Sequence, residues 1–412
     1  MFELIFIASL VVLVYVYFIY PAMLIASQRM VLAVEGFQAK GKIPYLDDPK
    51  SNTSKQRLRD ALPSVTMVVP CRNEAQNLDA KIRNFMALKY PPEKLKLILV
   101  DDASDDESAA RLSHLRSTRI KVIRNEVRLG KTASLIKAGN TAATGVLVFS
   151  DCAAILNPTA VFALVRRFRD VSVGLVTGAY SAVPPSASTR SSGEGLYWKY
   201  EIGIRNLESR IQSTTHATGA LYAIRTHLFK NMVWKPGVIN DDLYIPLKVL
   251  ETGYNIKSEK RARAREYVHS TVGGEFARRS RIASGNFQMI PEAFNLVRAG
   301  RYFPLFQLFS HKWLRNAGGF LLPFLLISNM ILAWDSPFYL WLLVGQFFFY
   351  LLAGAGLLKN AAPAFKRAAI LPFYFVSTNL ASVYGAWRIL THKGNVVWEK
   401  TDMTVAELEH VR

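Results

Sequence analysis

The stretch GVLVFSDCAAIL, residues 145–156, runs four apolar residues after a glycine and then stops on Ser150 and Asp151. Val146 to Phe149 form the short continuous apolar run of a parallel strand covered on both faces. Such a strand delivers its last residue to the carboxyl edge of its sheet. Open α/β sheets bind ligands at that edge. Asp151 is therefore either a ligand-facing carboxylate or a plain strand-end cap.

The surrounding sequence repeats the pattern. Strands are expected at 64–70 (SVTMVVP), 96–102 (KLILVDD) and 120–125 (IKVIRN). They alternate with helices at 74–88, 105–117 and 131–143, the last opening on Lys131. Alternation of this kind implies βαβ units and a mostly parallel sheet.

Apolar residues gather at the two ends of the 412-residue chain, which is 50% hydrophobic. Residues 4–27 carry no charge over more than the ~20 residues that cross a bilayer, so 1–27 reads as an N-terminal transmembrane helix. A cleaved signal peptide would start with a basic segment, and only Glu3 stands there. About three further spans are expected within 316–390, at 316–334, 338–358 and 368–387. Gly318, Gly319 and Pro323 make the first of these the candidate for irregular backbone. The basic linker 28–61 places the middle region in the cytosol by the positive-inside rule, in the inner membrane if the source is bacterial. One span before that region and three after it leave the basic tail 391–412 outside, which the same rule disfavours. The amphipathic stretch 286–315 is expected at the membrane interface.

A net charge of +20 raises a nucleic-acid reading, but no basic-and-aromatic binding motif accompanies it. The charge adjoins the apolar segments, where lipid headgroups or substrate phosphates account for it. Cys71 and Cys152 lack metal-site spacing.

Several polar groups fall at one sheet edge. PCRNE (70–74) gives Asn73 and Glu74, the second strand gives Asp101 and Asp102, and the opening stretch gives Asp151. Each alone is also an ordinary cap or turn residue. Together they suit a nucleotide and a divalent cation. Asp241 and Asp242 begin a helix in GVINDDLYIPLKVLETGY (237–254). They either complement its dipole or hold one carboxylate as a general base. EFARRSRIASGNF (275–287) offers Arg278 and Arg281, whose planar forks match a diphosphate; a lipid-facing basic helix is the alternative.

VPCRNEAQNL, LILVDDASDD, GKTASL, FSDCAA, TGALYAIR, NDDLYIPLKVLETGY and RRSRI, in that order, resemble the membrane-bound family 2 glycosyltransferases. That group includes the cellulose, chitin-oligosaccharide, hyaluronan and poly-N-acetylglucosamine synthases. The detailed similarity spans roughly 62–290. It implies a GT-A fold (α/β, Rossmann-like) over 62–285, inserted between transmembrane helices. It implies a nucleotide-sugar donor, UDP-linked before GDP-linked, and Mg²⁺ or Mn²⁺. By the resemblance Asp102 contacts the base, Asp151 is the metal-side acid of D-x-D, and Asp242 is the catalytic base with Asp241 before it. Asn73, Glu74, Lys131, Arg278 and Arg281 complete the donor set. Gly219 and Ala220 let an acceptor pass close to the backbone.

Two departures stand out. The second D-x-D acid is Ala153, leaving His269 or Glu266 as a further metal ligand, and the aromatic of Q-x-x-R-W is Ile282. Tyr197 or Trp198 is then the candidate for stacking on the acceptor sugar. The implied reaction is a single inverting displacement onto a growing polysaccharide. Transfer of one sugar to a lipid carrier or glycolipid, and a non-catalytic nucleotide-sugar-binding scaffold, are the other readings.

Overall fold

A computed structural model describes residues 1–38, 61–183, 190–267, 272–358 and 363–391. Its centre is an eight-stranded sheet ordered β3-β2-β1-β4-β7-β6-β8-β5. The strands are β1 (Val65–Cys71), β2 (Leu95–Asp101), β3 (Ile120–Arg124), β4 (Val146–Phe149), β5 (Ile155–Leu156), β6 (Val173–Val183), β7 (Tyr222–Arg225) and β8 (Asn255–Tyr267). β1 to β4 are parallel, with Val65 opposite both Leu95 and Val146. β1 and β4 are buried at every position, as strands covered on both faces must be. The helices Ala75–Met86 and Lys131–Thr141 follow β1 and β3.

β7 lies antiparallel to β4, with Phe149 opposite Tyr222. This reversal brings the loop before β7, Thr218–Ala220, to the edge where β4 releases Asp151. β6 is antiparallel to β7 and parallel to β8.

Among the described residues, three helices are long and apolar enough to cross a membrane: Phe2–Val31, Tyr302–Leu332 and Pro337–Ala355. Two features differ from the sequence reading. Gly318, Gly319 and Pro323 sit inside an unbroken helix, Leu314–Leu332. A Cβ at Gly318 would come within 2.8 Å of Asn379 Oδ1, so the small residue serves close helix packing. The irregularity falls earlier, in a π turn at Phe309–Trp313, which joins helix Tyr302–Leu308 to the span. The second half of the expected interfacial stretch is thus continuous with a membrane-length helix.

The expected span 368–387 lies on the 28-residue helix Pro363–Leu390, which is not among the three sufficiently apolar helices. Asn379 and Ser382 are buried on it, while Leu371, Leu380 and Leu390 are exposed. It packs on the arginine-bearing helix Val272–Gln288, where Ser284 Oγ donates to the Gly385 carbonyl (2.9 Å). A Cβ at Gly385 would approach the Ser280 carbonyl to 2.6 Å. Only glycine permits this seating.

Buried polar contacts fasten the sheet domain to the apolar helices. Tyr20 of the N-terminal helix donates to Glu208 (2.8 Å), which also meets His311 Nδ1 of the π turn (2.9 Å). Glu201 pairs with Lys312 (2.6 Å) and Arg315 (2.9 Å). Charges this deeply buried are tolerated because each has an opposite partner.

Candidate active site

A cavity of about 630 Å³ opens at the carboxyl edge of β1 and β4, within the range typical of ligand sites. Glu74, Lys131, Asp151, Gly219, Ala220, Asp241, Asp242, Arg278 and Arg281 all line it. They arrive from six separate segments, each placed by a local device.

The first device is a buried carboxylate. Asp102 accepts from the backbone N–H groups of Leu129 (2.8 Å) and Gly130 (2.8 Å) and from the Asn125 amide (2.9 Å). It fixes the turn that begins helix Lys131–Thr141. Gly130 occupies that turn at φ +89°, a conformation that disfavours side chains. Asp102 itself is fully buried and does not line the cavity. Asn73, also outside the cavity, accepts through its side-chain oxygen from the Asp105 N–H (3.0 Å) and donates its own N–H to Ser104 Oγ (3.0 Å). These two sequence-predicted residues shape loops behind the site.

Lys131 is placed between carboxylates. Its Nζ lies 2.8 Å from Asp151 Oδ1 and 3.7 Å from Asp241 Oδ1. Burial works against its charge, but Asp151 and Asp241 outweigh it and raise its pKa. Lys131 therefore stays a cation in the working pH range.

Gly219 lies at the meeting point. A Cβ there would be 3.2 Å from Lys131 Nζ, 3.7 Å from Asp151 Oδ2 and 3.8 Å from Asp242 Oδ2. The loop is held by Thr218 N–H donating to Thr177 Oγ1 (3.0 Å) and Ala217 N–H donating to the Asp242 carbonyl (2.8 Å). The second bond ties the loop to the start of helix Asp241–Glu251.

Asp242 has the electrostatics of a base. Burial, with the neighbouring Asp241 carboxylate, raises its pKa above the usual range, and Lys131 and Arg281 oppose the rise. A basic carboxylate poised near a cavity is what proton abstraction needs. Asn240 just before it donates to the Ile282 carbonyl (2.9 Å) and locks this helix to the arginine helix.

The arginine helix supplies cations in two states. Arg278 is paired with Glu275 (2.9 Å), whose carboxyl stays low in pKa because Arg278 and Arg279 outweigh its burial. Arg281 has no hydrogen-bond or ion-pair partner among the described residues.

The cavity also holds Glu266, which the sequence offered as a further metal ligand, and two groups that the sequence did not single out, Arg388 and Trp234. Glu266, near the end of β8, is buried, and burial together with Asp151 pushes its pKa to about 7. The alternation in ARAREY carried the signal, since a 13-residue strand ending at this edge must turn one carboxylate inward. Arg388 reaches the cavity from the C-terminal helix, and no local motif marks it. Trp234 lines the cavity as well, with its ring against Phe229 (5.1 Å) and Tyr244 (5.9 Å). It is an aromatic surface at a site where Ile282 replaces the expected one. Tyr197 and Trp198 fall on helix Arg190–Ile211, with side chains outside the described residues; His269 is outside them too.

Divalent-cation chemistry fits the donor set. Asp241 Oδ2 and Glu266 Oε1 are buried without a hydrogen-bond partner, and both side chains line the cavity with Asp151. Hard carboxylate oxygens left unsatisfied suit Mg²⁺ or Mn²⁺. A separate buried group, Glu208, His216 and His311, has ligand atoms within 4.8 Å of one another. Its oxygens are already engaged, Glu208 by Tyr20, His311 and Thr214.

Residues 66–232 match the family model described as glycosyl transferase family 2. Among curated proteins the chain is 27% identical over 258 residues to a poly-beta-1,6-N-acetyl-D-glucosamine synthase of Staphylococcus aureus, covering 60% of this chain and 61% of that one. It is 25% identical over 235 residues to the synthase of the same name from Staphylococcus epidermidis, covering 55% of each. The chain thus spans about three fifths of the length of these relatives. Among solved structures, a mannosyltransferase from Pyrobaculum calidifontis in complex with GDP-Man and Mn²⁺ superposes with a TM-score of 0.62 at 20% identity. That match covers 95% of this chain and 100% of the other, and it supports the GT-A fold.

Proposed function

We propose that this chain, whose residues 66–232 match the family 2 glycosyltransferase model, is a membrane-embedded inverting glycosyltransferase that moves a sugar from a nucleotide-sugar to a growing polysaccharide. The observation that carries the reading is the convergence of Lys131, Asp151 and Asp242 within 4 Å of one point beside Gly219. A nucleophile, a leaving diphosphate and a base must meet in such a place.

The donor's diphosphate would lie against Lys131, Arg281 and Arg388, whose charges offset the negative charge that grows on the leaving group. Asp151 and Glu266, with Asp241 beside them, would hold Mg²⁺ or Mn²⁺, which supplies Lewis-acid neutralisation of that diphosphate when bound. Asp242 takes the proton of the acceptor hydroxyl. Its raised pKa makes it a stronger base than an exposed aspartate. Gly219 and Ala220 leave the acceptor room, and Trp234 offers a ring face to a sugar. Asp102 and Asn73 act at one remove, by fixing the loops on which Lys131 and Glu74 stand.

A cytosolic catalytic domain follows from the basic residues after the first apolar helix. With three crossings instead of four, the C-terminal helix and the basic tail fall on the same side as the catalytic domain. Arg388 lining the cavity is consistent with that side, and the positive-inside conflict disappears. The exposed leucines of this helix then rest on the bilayer surface.

Transfer to a lipid carrier is the second reading, favoured by a basic cavity between Asp242 and the membrane-length helices. The deciding assay supplies membranes containing the protein with radiolabelled nucleotide-sugars and Mg²⁺ or Mn²⁺. Label in a solvent-insoluble polymer supports the synthase, label in a lipid extract supports the second reading, and no label from any donor refutes both.

A further inference from the structure

Behind Asp242, on the side away from the donor cavity, lies a smaller cavity of about 100 Å³. At ~30 Å³ per water it has room for about three waters, or for one tetrahedral oxyanion. Asn240, Asp242, Arg278 and Ile282 line both cavities, so the base forms part of the wall between them. The remaining walls come from helix Arg190–Ile211, the arginine helix, the π turn with the span that follows it, and the C-terminal helix.

The lining is unbalanced in charge. Five cations, Arg205, Arg278, Arg279, Lys312 and Arg315, face three carboxylates, Glu201, Asp242 and Glu275. Burial and the charges of Lys312 and Arg205 push the His216 pKa well below its usual value, so the imidazole is neutral and the cationic surplus is not a matter of histidine protonation.

One cation is left without an adequate partner. The Arg205 side chain is 5% exposed, and its nearest carboxylate is Glu201 at 3.9 Å through Nη2 alone. Its Nε and Nη1 have no hydrogen-bond partner. The Nδ2 of Asn316, on the opposite wall, also lacks one. Buried N–H groups left unmade cost ~1–3 kcal/mol each, more on a charged group. Three such donors around one void, beside a cationic surplus, describe an anion site that the protein's own acids do not fill.

We propose that this cavity binds a phosphate group carried by the acceptor, with Arg205 as its principal ligand and Asn316 as a second donor. The inference rests on the transferase reading above, in its lipid-carrier form, and concerns only its acceptor. Lys312, Arg315 and Asn316 sit where the π turn of the membrane-length helix Tyr302–Leu332 passes into its apolar part, so a phosphate held here would lie at the depth of a lipid headgroup, next to the base. A lipid phosphate and free inorganic phosphate share this chemistry and are separated by their tails.

The test uses the full chain purified in dodecyl maltoside, titrated with inorganic phosphate and with dodecyl phosphate, and read by the shift in unfolding temperature. Binding of a nucleoside diphosphate is measured on the same samples. Dodecyl phosphate is expected to bind saturably and at least tenfold more tightly than inorganic phosphate. Arg205→Gln should weaken it at least tenfold with nucleoside diphosphate binding kept. Asn316→Leu fills the void without stranding a charge and should do the same, which covers a folding failure of the first variant. Equal affinity for the two probes overturns the lipid source. No saturable shift with either, or a shift that survives both substitutions, overturns the site. Sugar transfer that persists without phosphate binding refutes this inference alone; phosphate binding without any transfer refutes the transferase reading alone.

Discussion

Gly219→Ala separates catalysis from folding at the centre of the site. The added methyl would lie 3.2 Å from Lys131 Nζ and within 4 Å of Asp151 and Asp242. The Lys131 contact is tighter than the ~3.5–4.0 Å of ordinary van der Waals packing, so the ammonium must retreat. It is the end of a flexible side chain, so the fold tolerates the change. Gly219 has no left-handed φ, and replacing a glycine by alanine stabilises by ~0.4–1 kcal/mol through the unfolded chain. The unfolding temperature should therefore stay near that of wild type. Transfer should not: a displacement on the order of 1 Å in a reacting constellation costs ~10²-fold in rate, or ~2.7 kcal/mol of barrier. Calorimetry paired with a radiolabel transfer assay reads both quantities. Transfer within twofold of wild type would refute the placement of the reaction beside Gly219.

Asp241→Asn removes a charge that raises the Asp242 pKa, so the acid limb of the kcat profile, set by ionisation of Asp242, should move to lower pH; an unmoved limb counts against Asp242 as the titrating group. Arg388→Gln should weaken nucleoside diphosphate binding about tenfold and flatten its salt dependence, as isothermal titration at two salt concentrations would show. Gly385→Val drives a side chain against the Ser280 carbonyl and should unseat the C-terminal helix, lowering transfer through loss of Arg388 from the cavity, with protease sensitivity in the 363–391 region as the readout.

The parallel half of the sheet was legible because its strands are covered on both faces and read as unbroken apolar runs. The other half, where strand directions mix, was not, since β6 and β8 mix polar residues into their length and pair in parallel across more than 70 positions of chain. Asp151, Lys131 and Asp242 could be picked out from strand tips and helix starts, which are local features. Arg388 and Trp234 could not: Arg388 reaches the cavity through packing between distant helices, and Trp234 stands in the loop between helices Thr226–Lys230 and Asp241–Glu251, its ring against Phe229 and Tyr244. Asp102 illustrates a different limit: its position at a strand tip suggests a ligand contact, but its oxygens are taken by the Leu129–Gly130 turn. The stretch expected to span at 368–387 lies on a helix that is long enough, but less apolar than the three membrane-length helices. The polar face with Asn379 and Ser382 is buried against protein, and Arg388 at the helix end lines the same cavity as Asp151.

The central claim is that Asp242 is the base of a sugar transfer, and Asp242→Asn tests it most directly. Because burial and Asp241 raise its pKa, the folded protein binds that proton more tightly than the unfolded chain does. Stability from this group is greatest at low pH and falls as pH rises from the unfolded carboxyl range through the folded value. At neutral pH the amide should thus leave the protein at least as stable as wild type. Donor binding by isothermal titration should persist while labelled transfer drops by at least ~10³-fold, as expected for loss of a general base with its charge. A folded variant that binds donor and transfers sugar at near the wild-type rate would contradict the account.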